Sequence, residues 1–268
     1  MSQEDRDYIL GTHDVELQRL GLQHQLWRGQ AYALWERARF APGKTLLDVG
    51  CGPGFGTLDL AQLVGPAGRV VGVDVSSKFL DYLRSRIPPT VELQQADVQG
   101  MTLPASHFDG AYARWVLCFV PRPDEVIQRV AASLKPGGTF AIQDYYNYAA
   151  LKLAPRSAIF ERVLRAVSES WRMHDGDPDV GCRFPDLLAQ AGMRVEYIQP
   201  ILRLATPRDP LWQWPHTFFK IFVPSLVEQD LLTKDEQREF ERDWQTHCND
   251  PHAFFTSPPM IEVVAVKQ

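Results

Sequence analysis

A glycine-rich turn between an apolar segment and a helix constrains this chain more than any other stretch. Residues 46–56 read LLDVGCGPGFG, and residues 57–63 continue with helical spacing. An apolar strand that ends in glycines and leads into a helix is typical of the first turn of a parallel sheet. Such a turn binds a nucleotide-like ligand against a helix N-terminus, because glycine has no Cβ to hold the ligand away from the backbone.

The spacing of the glycines separates two classes of ligand. Dinucleotide-binding turns have the pattern G-x-G-x-x-G. Counted from Gly50, the third glycine would fall at Phe55, and counted from Gly52 it would fall at Thr57, so the pattern fails in both registers. An NAD(P)-dependent oxidoreductase therefore stays only as an alternative interpretation.

The pattern in residues 48–54 is D-x-G-x-G-x-G, and it resembles the first motif of the class I S-adenosylmethionine-dependent methyltransferases. Three later segments fit the same resemblance. Asp74 ends the second predicted strand, Asp97 follows the third, and residues 135–139 read KPGGT before the fifth. The resemblance implies that Asp74 accepts hydrogen bonds from the ribose hydroxyls and that Asp97 accepts one from the adenine amino group. It is closest in character to the small-molecule enzymes around the ubiquinone and menaquinone methyltransferases.

The implied cofactor is S-adenosylmethionine, and the residues expected to hold it are Gly50, Cys51, Gly52, Gly54, Asp74, Val75, Asp97, Val98, Arg114 and Arg28. Arg28 lies in the N-terminal helical region and is expected to meet the methionine carboxylate. Arg114 follows the fourth strand, where a guanidinium pairs with a carboxylate of either the cofactor or the substrate.

Strands alternate with helices over residues 44–144, which predicts an α/β fold with a doubly wound parallel sheet. Two further strands are predicted at 193–204 and 261–266. The resemblance implies that these complete a Rossmann-like, mostly parallel sheet of seven strands with helices on both faces. The expected division is an N-terminal helical cap at 1–43, a cofactor-binding core at 44–206, a helical insertion at 207–251 and the last strand within 252–268.

The insertion is too aromatic for a passive loop, since residues 212–219 read WQWPHTFF. It is predicted to be either a lid over an apolar acceptor or a homodimer interface, and the sequence does not choose between them. Contacts with a small, aromatic or apolar acceptor are assigned to Tyr146, Trp212 and Phe218.

Methyl transfer from a sulfonium is an in-line displacement, so it needs alignment more than a catalytic dyad. The catalytic candidates are Tyr145 and His216, and the sequence does not select a base among the histidines His174, His216, His247 and His252. A protein that binds the cofactor without transferring methyl is therefore a second alternative.

Composition limits the partners and the compartment. The net charge of −5 argues against a general nucleic-acid binder, and no apolar run is long enough to span a membrane. The acidic residues 1–7 predict no signal peptide, and four widely spaced cysteines predict reduced thiols in the cytoplasm. No metal is expected, because metal-dependent relatives have an Asp-Asn pair where this chain has Asp144 and Tyr145.

Overall fold

Ten strands and eight helices make up the computed structural model, which describes residues 14–268. The strands are β1 (Thr45–Val49), β2 (Arg69–Asp74), β3 (Val91–Gln95), β4 (Phe108–Arg114), β5 (Leu134–Tyr145), β6 (Lys152–Ala154), β7 (Met193–Ile201), β8 (Leu204–Ala205), β9 (Phe254–Thr256) and β10 (Met260–Lys267). The predictions for residues 1–13, which include the start of the cap and the absence of a signal peptide, lie outside the described residues.

Seven of these strands form the central sheet, in the order β3-β2-β1-β4-β5-β10-β7. Strands β1 to β5 pair in parallel, whereas β10 runs antiparallel to both β5 and β7. This confirms the Rossmann-like, mostly parallel sheet of seven strands.

Helices cover both faces of the sheet. They are α1 (Asp14–Arg37), α2 (Phe55–Val64), α3 (Ser77–Arg84), α4 (Pro123–Ser133), α5 (Ala158–Met173), α6 (Phe184–Gln190), α7 (Gln213–Glu228) and α8 (Lys234–Asn249). Leu46 faces the apolar cluster that α1 and α2 cover, and its neighbour Leu47 faces the cluster that α4 and α6 cover. Successive side chains of a strand point to opposite faces, so a strand covered on both faces is apolar throughout.

A second, three-stranded sheet was not predicted. Its order is β6-β9-β8, and both pairings are antiparallel. Strands of two or three residues are too short to show a period, and their partners lie far apart in the sequence. Residues 252–268 therefore contribute to two sheets, through β9 as well as through β10.

The aromatic insertion packs mainly against its own chain. Trp212 stacks on Trp244 of α8, and Phe219 makes edge contacts with Phe160 of α5 and Phe240 of α8. The side chains of Trp212, Phe219 and Phe160 are almost completely buried. Intramolecular packing thus accounts for much of the aromatic content that suggested a lid or an interface.

No helix within residues 14–268 is long and apolar enough to cross a lipid bilayer. The four cysteines all lie in this part of the chain, and none of them forms a disulfide.

Candidate active site

A large cavity lies at the carboxyl ends of the parallel strands, beside the neighbouring strands β1 and β4. Chain order reverses at this pair, because β2 and β3 lie on one side of it and β5 lies on the other. Ligands of open α/β sheets bind in the crevice at this reversal. The cavity has a volume of about 700 Å³, which is within the range of small-molecule sites.

Most residues predicted to hold the cofactor line this cavity. They are Gly50, Cys51, Gly52, Asp74, Val75, Asp97, Val98 and Arg114. They come from the ends of four different strands, so the sheet brings together residues that are far apart in the sequence. Gly54 and Arg28 do not line the cavity.

Two glycines of the turn have different roles. Gly52 has φ +54°, and a Cβ added there would meet no atom within 4 Å, which leaves the turn open beside the cavity. Gly54 has φ +82°, and its Cβ would overlap the side chain of Leu83 in α3. The glycine at 54 therefore permits close packing of α2 and α3, and its predicted contact with the cofactor stays a prediction.

An aromatic side chain stands where a dinucleotide-binding turn needs its third glycine. Helix α2 begins at Phe55, and the Phe55 ring lines the cavity and stacks against His24 at 6.0 Å between centroids. The third glycine of a dinucleotide turn allows close packing of helix and strand. The bulk of Phe55 at this position argues against a dinucleotide.

Asp74 ties the glycine turn to the end of β2. Its Oδ2 accepts the backbone N–H of Gly52 at 2.7 Å, and its Oδ1 accepts that of Ser76 at 2.9 Å. Burial raises the pKa of the Asp74 carboxyl above its usual value, and these amide bonds oppose the rise. An ionised carboxylate has about four acceptor positions, so two remain for ligand hydroxyls.

Asp97 is exposed at the cavity wall, whereas the side chain of Val98 is buried. The Oδ1 of Asp97 accepts the backbone N–H of Gln99 at 2.9 Å, which closes a turn through its own side chain. The carboxylate keeps further acceptor positions for a ligand amino group.

Asp48 lines the cavity and was noted in the motif without a role. It is buried, and its Oδ2 accepts the hydroxyl proton of Thr57 at 2.7 Å. Burial raises the pKa of Asp48 to about 6, against the lowering effects of Thr57 and of the nearby Arg114 charge. The pair joins the end of β1 to the first turn of α2.

A hydrogen bond to His24 of the N-terminal helix α1 holds the Arg114 side chain. Its Nη2 donates to Nδ1 of His24 at 2.9 Å, and His24 Nε2 lies 3.0 Å from Oδ2 of Asp59. Arg28 donates two hydrogen bonds to the same carboxylate, from Nε to Oδ2 at 2.6 Å and from Nη2 to Oδ1 at 2.7 Å. Arg28 therefore does not reach the cavity, contrary to the prediction, because Asp59 holds its guanidinium. His24 and Asp59 carried no local sequence signal, since they are 35 residues apart.

A second, small cavity of about 30 Å³ lies behind the first. Gln23, Trp115 and Phe119 line both cavities. The inner wall is aromatic and is formed by Tyr145, Tyr148, Trp171, Trp214, Phe218 and Phe219. Trp115 forms part of the common wall and has a left-handed backbone, φ +52°. That conformation is uncommon outside glycine and concentrates at functional sites.

The predicted catalytic and acceptor residues are dispersed. Tyr145 and Phe218 line the inner cavity, whereas Tyr146, Trp212 and His216 line neither cavity. Burial raises the pKa of Tyr145 well above its usual range, which keeps its hydroxyl protonated. Trp212 does not reach a ligand because it is buried in the insertion, where its Nε1 donates to Cys248 Sγ at 3.3 Å.

The four histidines considered as bases are separated by the structure. His216 accepts the indole N–H of Trp244 at 2.9 Å within the insertion, and His247 contacts two backbone carbonyls, those of Asp243 and Pro155. Of the four, only His174 lines the large cavity. Its Nδ1 lies 2.7 Å from the carbonyl oxygen of Ser170, which can only accept, so the neutral ring keeps a lone pair on Nε2.

The carboxylate of Asp144 accepts hydrogen bonds from the backbone. The sequence comparison with metal-dependent relatives concerned this residue. Its Oδ2 accepts the N–H groups of Val116, Leu117 and Cys118, at 3.2, 2.9 and 3.2 Å. Within residues 14–268, no group of three or more His, Cys, Asp or Glu side chains could hold a metal ion. Asp144 instead fixes the segment that follows β4, which forms the wall between the cavities.

Comparison with known proteins agrees with this geometry. Residues 47–142 match the family model described as a methyltransferase domain. The chain is 29% identical to a demethylmenaquinone methyltransferase of Symbiobacterium thermophilum over 148 residues, which are 52% of this chain and 59% of that protein. It is 28% identical to a ubiquinone/menaquinone biosynthesis C-methyltransferase of Pseudomonas putida over 178 residues, which are 57% of this chain and 70% of that protein. The alignment with the first relative thus spans less than two thirds of its length.

The fold is also that of a solved methyltransferase. Geranyl diphosphate C-methyltransferase from Streptomyces coelicolor, determined with S-adenosyl-L-homocysteine, superposes with a TM-score of 0.59 at 16% identity, covering 91% of this chain and 77% of that one. The glycine turn, the carboxylates at the strand ends and the sheet order agree with the matched domain: residues 47–142 form a methyltransferase domain, and the chain resembles the class I S-adenosylmethionine-dependent methyltransferases.

Proposed function

We propose that this protein transfers the methyl group of S-adenosylmethionine to a small acceptor whose reacting part is aromatic or apolar. The observation that carries the proposal is that the cofactor-sized cavity adjoins an aromatic cavity. The large cavity at the glycine turn shares Gln23, Trp115 and Phe119 with the small one, whose other walls are largely aromatic. An acceptor bound in the large cavity against this common wall lies between the cofactor side and aromatic rings.

The residues present fit the cofactor. Asp74 and Asp97 offer free acceptor positions for the ribose hydroxyls and the adenine amino group, at the ends of neighbouring strands. Arg114 has a buried Nη1 with no hydrogen-bond partner within residues 14–268, which suits a carboxylate. When bound, S-adenosylmethionine supplies an electrophilic methyl group on a sulfonium.

The protein's own contribution is chiefly alignment. Trp115 and Phe119 separate the two cavities, and Asp144 fixes the backbone between them, so an acceptor is held at one distance from the cofactor side. Alignment of this kind contributes roughly 7–11 kcal/mol to lowering a barrier. His174 removes a proton when the acceptor is a hydroxyl group, because its Nε2 lone pair is free in the neutral ring.

The names of the relatives favour the same acceptor class. Two are named for demethylmenaquinone and for ubiquinone or menaquinone biosynthesis, and the solved neighbour is named for geranyl diphosphate. Quinone rings and a geranyl chain are both largely apolar. A homodimer, the absence of a nucleic-acid partner and a cytoplasmic location stay predictions from the sequence.

The test is an acceptor screen with S-adenosylhomocysteine formation as the measurement. Phenols and hydroquinones are compared with aliphatic amines of similar size, using the full chain and its Asp74→Ala variant as the cofactor-defective control. We expect S-adenosylhomocysteine to form with members of the aromatic set and to depend on Asp74. Turnover with the amines alone would overturn the acceptor class, and binding of the cofactor without any turnover would favour a non-catalytic protein.

A further inference from the structure

A chain of hydrogen bonds connects the large cavity to the surface of the N-terminal helix. Arg114 on β4 contacts His24 on α1, His24 contacts Asp59 on α2, and Asp59 contacts Arg28 back on α1. His24 is 7% exposed and Asp59 is 8% exposed, whereas the Arg28 side chain is 48% exposed. His24 lines the large cavity together with Arg114, and Asp59 lies between His24 and a solvated arginine.

The donors and acceptors around His24 fix the protonation and the tautomer of its ring. A guanidinium can only donate, so Nδ1 of His24 must accept from Arg114. An ionised carboxylate can only accept, so Nε2 of His24 must donate its proton to Asp59. The ring is thus neutral and in a single tautomer. Burial lowers the pKa of His24, and the Arg114 and Arg28 charges lower it further against the raising effect of Asp59.

The same contacts give Arg114 no ion pair within residues 14–268, although the nearby Asp48 carboxyl interacts with its charge. Asp59 is already paired with Arg28 through two short hydrogen bonds, and the neutral His24 ring carries no charge. Nη1 of Arg114 is buried and has no hydrogen-bond partner within residues 14–268, and Arg114 lines the cavity. A buried donor without a partner is unfavourable, and a charged donor more so, so an acceptor from a ligand satisfies it.

We propose that His24 and Asp59 are positioning residues that orient the Arg114 guanidinium toward the amino-acid carboxylate of the cofactor. This inference rests on the proposed function, because it assigns the ligand of Arg114 within the same cavity. Asp59 does not line the cavity; His24 does, but Arg114 and Asp59 occupy both of its ring nitrogens, so it acts through Arg114. They act by occupying Nη2 of Arg114, which leaves Nη1 to the carboxylate, and by joining α1 to α2 and β4.

The experiment compares two ligands that differ in the amino-acid part. S-Adenosylhomocysteine carries the carboxylate, whereas 5′-methylthioadenosine lacks it, and both dissociation constants are measured by calorimetry with the full chain. Arg114→Gln is expected to weaken S-adenosylhomocysteine about tenfold to a hundredfold, the loss for a hydrogen bond between charged groups, and to leave 5′-methylthioadenosine unchanged. Arg84→Gln, an exposed arginine of α3 paired with Asp81, is the matched control and should change neither constant.

His24 and Asp59 are tested by the ratio of the dissociation constants for 5′-methylthioadenosine and S-adenosylhomocysteine. His24→Leu and Asp59→Asn should lower the preference for S-adenosylhomocysteine over 5′-methylthioadenosine, and neither should lower it further when Arg114 is already Gln. His24→Gln keeps one acceptor and one donor, so it should recover part of the preference. A purely structural role of His24 would weaken both ligands equally. If the leucine variant fails to fold, the glutamine and Asp59→Asn variants still give the ratio.

Three results are distinct. An equal loss for both ligands in the His24 and Asp59 variants overturns the positioning role. An unchanged preference in Arg114→Gln overturns the carboxylate contact, although the cofactor assignment survives if both ligands bind. Binding of neither ligand to the native chain removes the proposed function itself.

Discussion

The two ends of the candidate site are built in different ways. At the cofactor end, residues assigned to the cofactor, such as Gly52, Asp74 and Asp97, line the cavity from the last position of a strand or from the turn after it. At the acceptor end, the wall combines Gln23 from α1, Trp115 after β4 and Phe218 from α7. The first end depends on local backbone geometry, and the second depends on packing between distant segments. Changes at the two ends should therefore alter different constants.

The largest effect is expected at Gly52. Gly52→Val places a branched side chain at φ +54° beside the cavity, so cofactor binding should fall below detection while the fold is retained. Gly43 has φ +79° and an equally open environment away from the cavity, so Gly43→Val carries similar backbone strain. Calorimetry with S-adenosylhomocysteine should show binding in the Gly43 variant alone. Equal affinities in the two variants would show that the turn does not contact the cofactor.

His174→Asn tests the acceptor end through the rate. If His174 takes a proton from a hydroxyl acceptor, its loss should lower kcat by about 10²–10⁴-fold with little change in cofactor affinity. His252 is exposed and lines neither cavity, so His252→Asn serves as the control. Steady-state kinetics with an acceptor from the screen provides the measurement, and an unchanged kcat would remove His174 from the mechanism.

Asp74→Ala should weaken S-adenosylhomocysteine by about 1–3 kcal/mol, because ligand hydroxyls lose their acceptor. The substitution also frees the backbone amides of Gly52 and Ser76, so the effect combines ligand contact with loop order. Asp81→Ala, on the exposed face of α3, is the comparison. An affinity equal to that of the native chain would contradict the ribose assignment.

The smallest effect is expected at Phe218. Phe218→Ala removes an aromatic face from the inner cavity and should raise the KM of an aromatic acceptor about tenfold, with cofactor affinity unchanged. Phe254→Ala, at a partly exposed ring of the small sheet, should change neither constant. A loss of cofactor affinity in the Phe218 variant would show that the two ends are not independent.

Point substitutions test the insertion better than a deletion of residues 211–219 would. Trp212 and Phe219 are almost fully buried and contact α8, so their removal would open a large hole in the core. Deletion is therefore expected to unfold the insertion and would not test its role.

Most residues that the sequence assigned to the cofactor line one cavity, because their sequence signals are local. A strand period, a run of glycines and one carboxylate after each strand are visible within ten residues, and the sheet then places them together. Gly54 and Arg28 were also assigned to the cofactor but do not line the cavity. A side chain at position 54 would overlap Leu83 of α3, and the Arg28 guanidinium is paired with Asp59.

The acceptor end could not be predicted in the same way. Which histidine faces the cavity depends on how α5 ends and where the segment after β4 lies, and neither has a sequence period. His24, Asp59 and Arg114 meet only after α1 has packed on the face of the sheet. Aromatic content suggested a binding role for Trp212, but the same content also builds a core, and here it does so.

The most direct test of the account is calorimetric titration of the purified chain with S-adenosylmethionine and S-adenosylhomocysteine, with NAD and NADP as controls. The account predicts saturable binding of the first pair and none of the second, because Phe55 stands at the third glycine position and Asp74 and Arg114 face the cavity. Binding of NAD or NADP in place of the first pair would contradict the cofactor assignment, and with it the proposed methyl transfer.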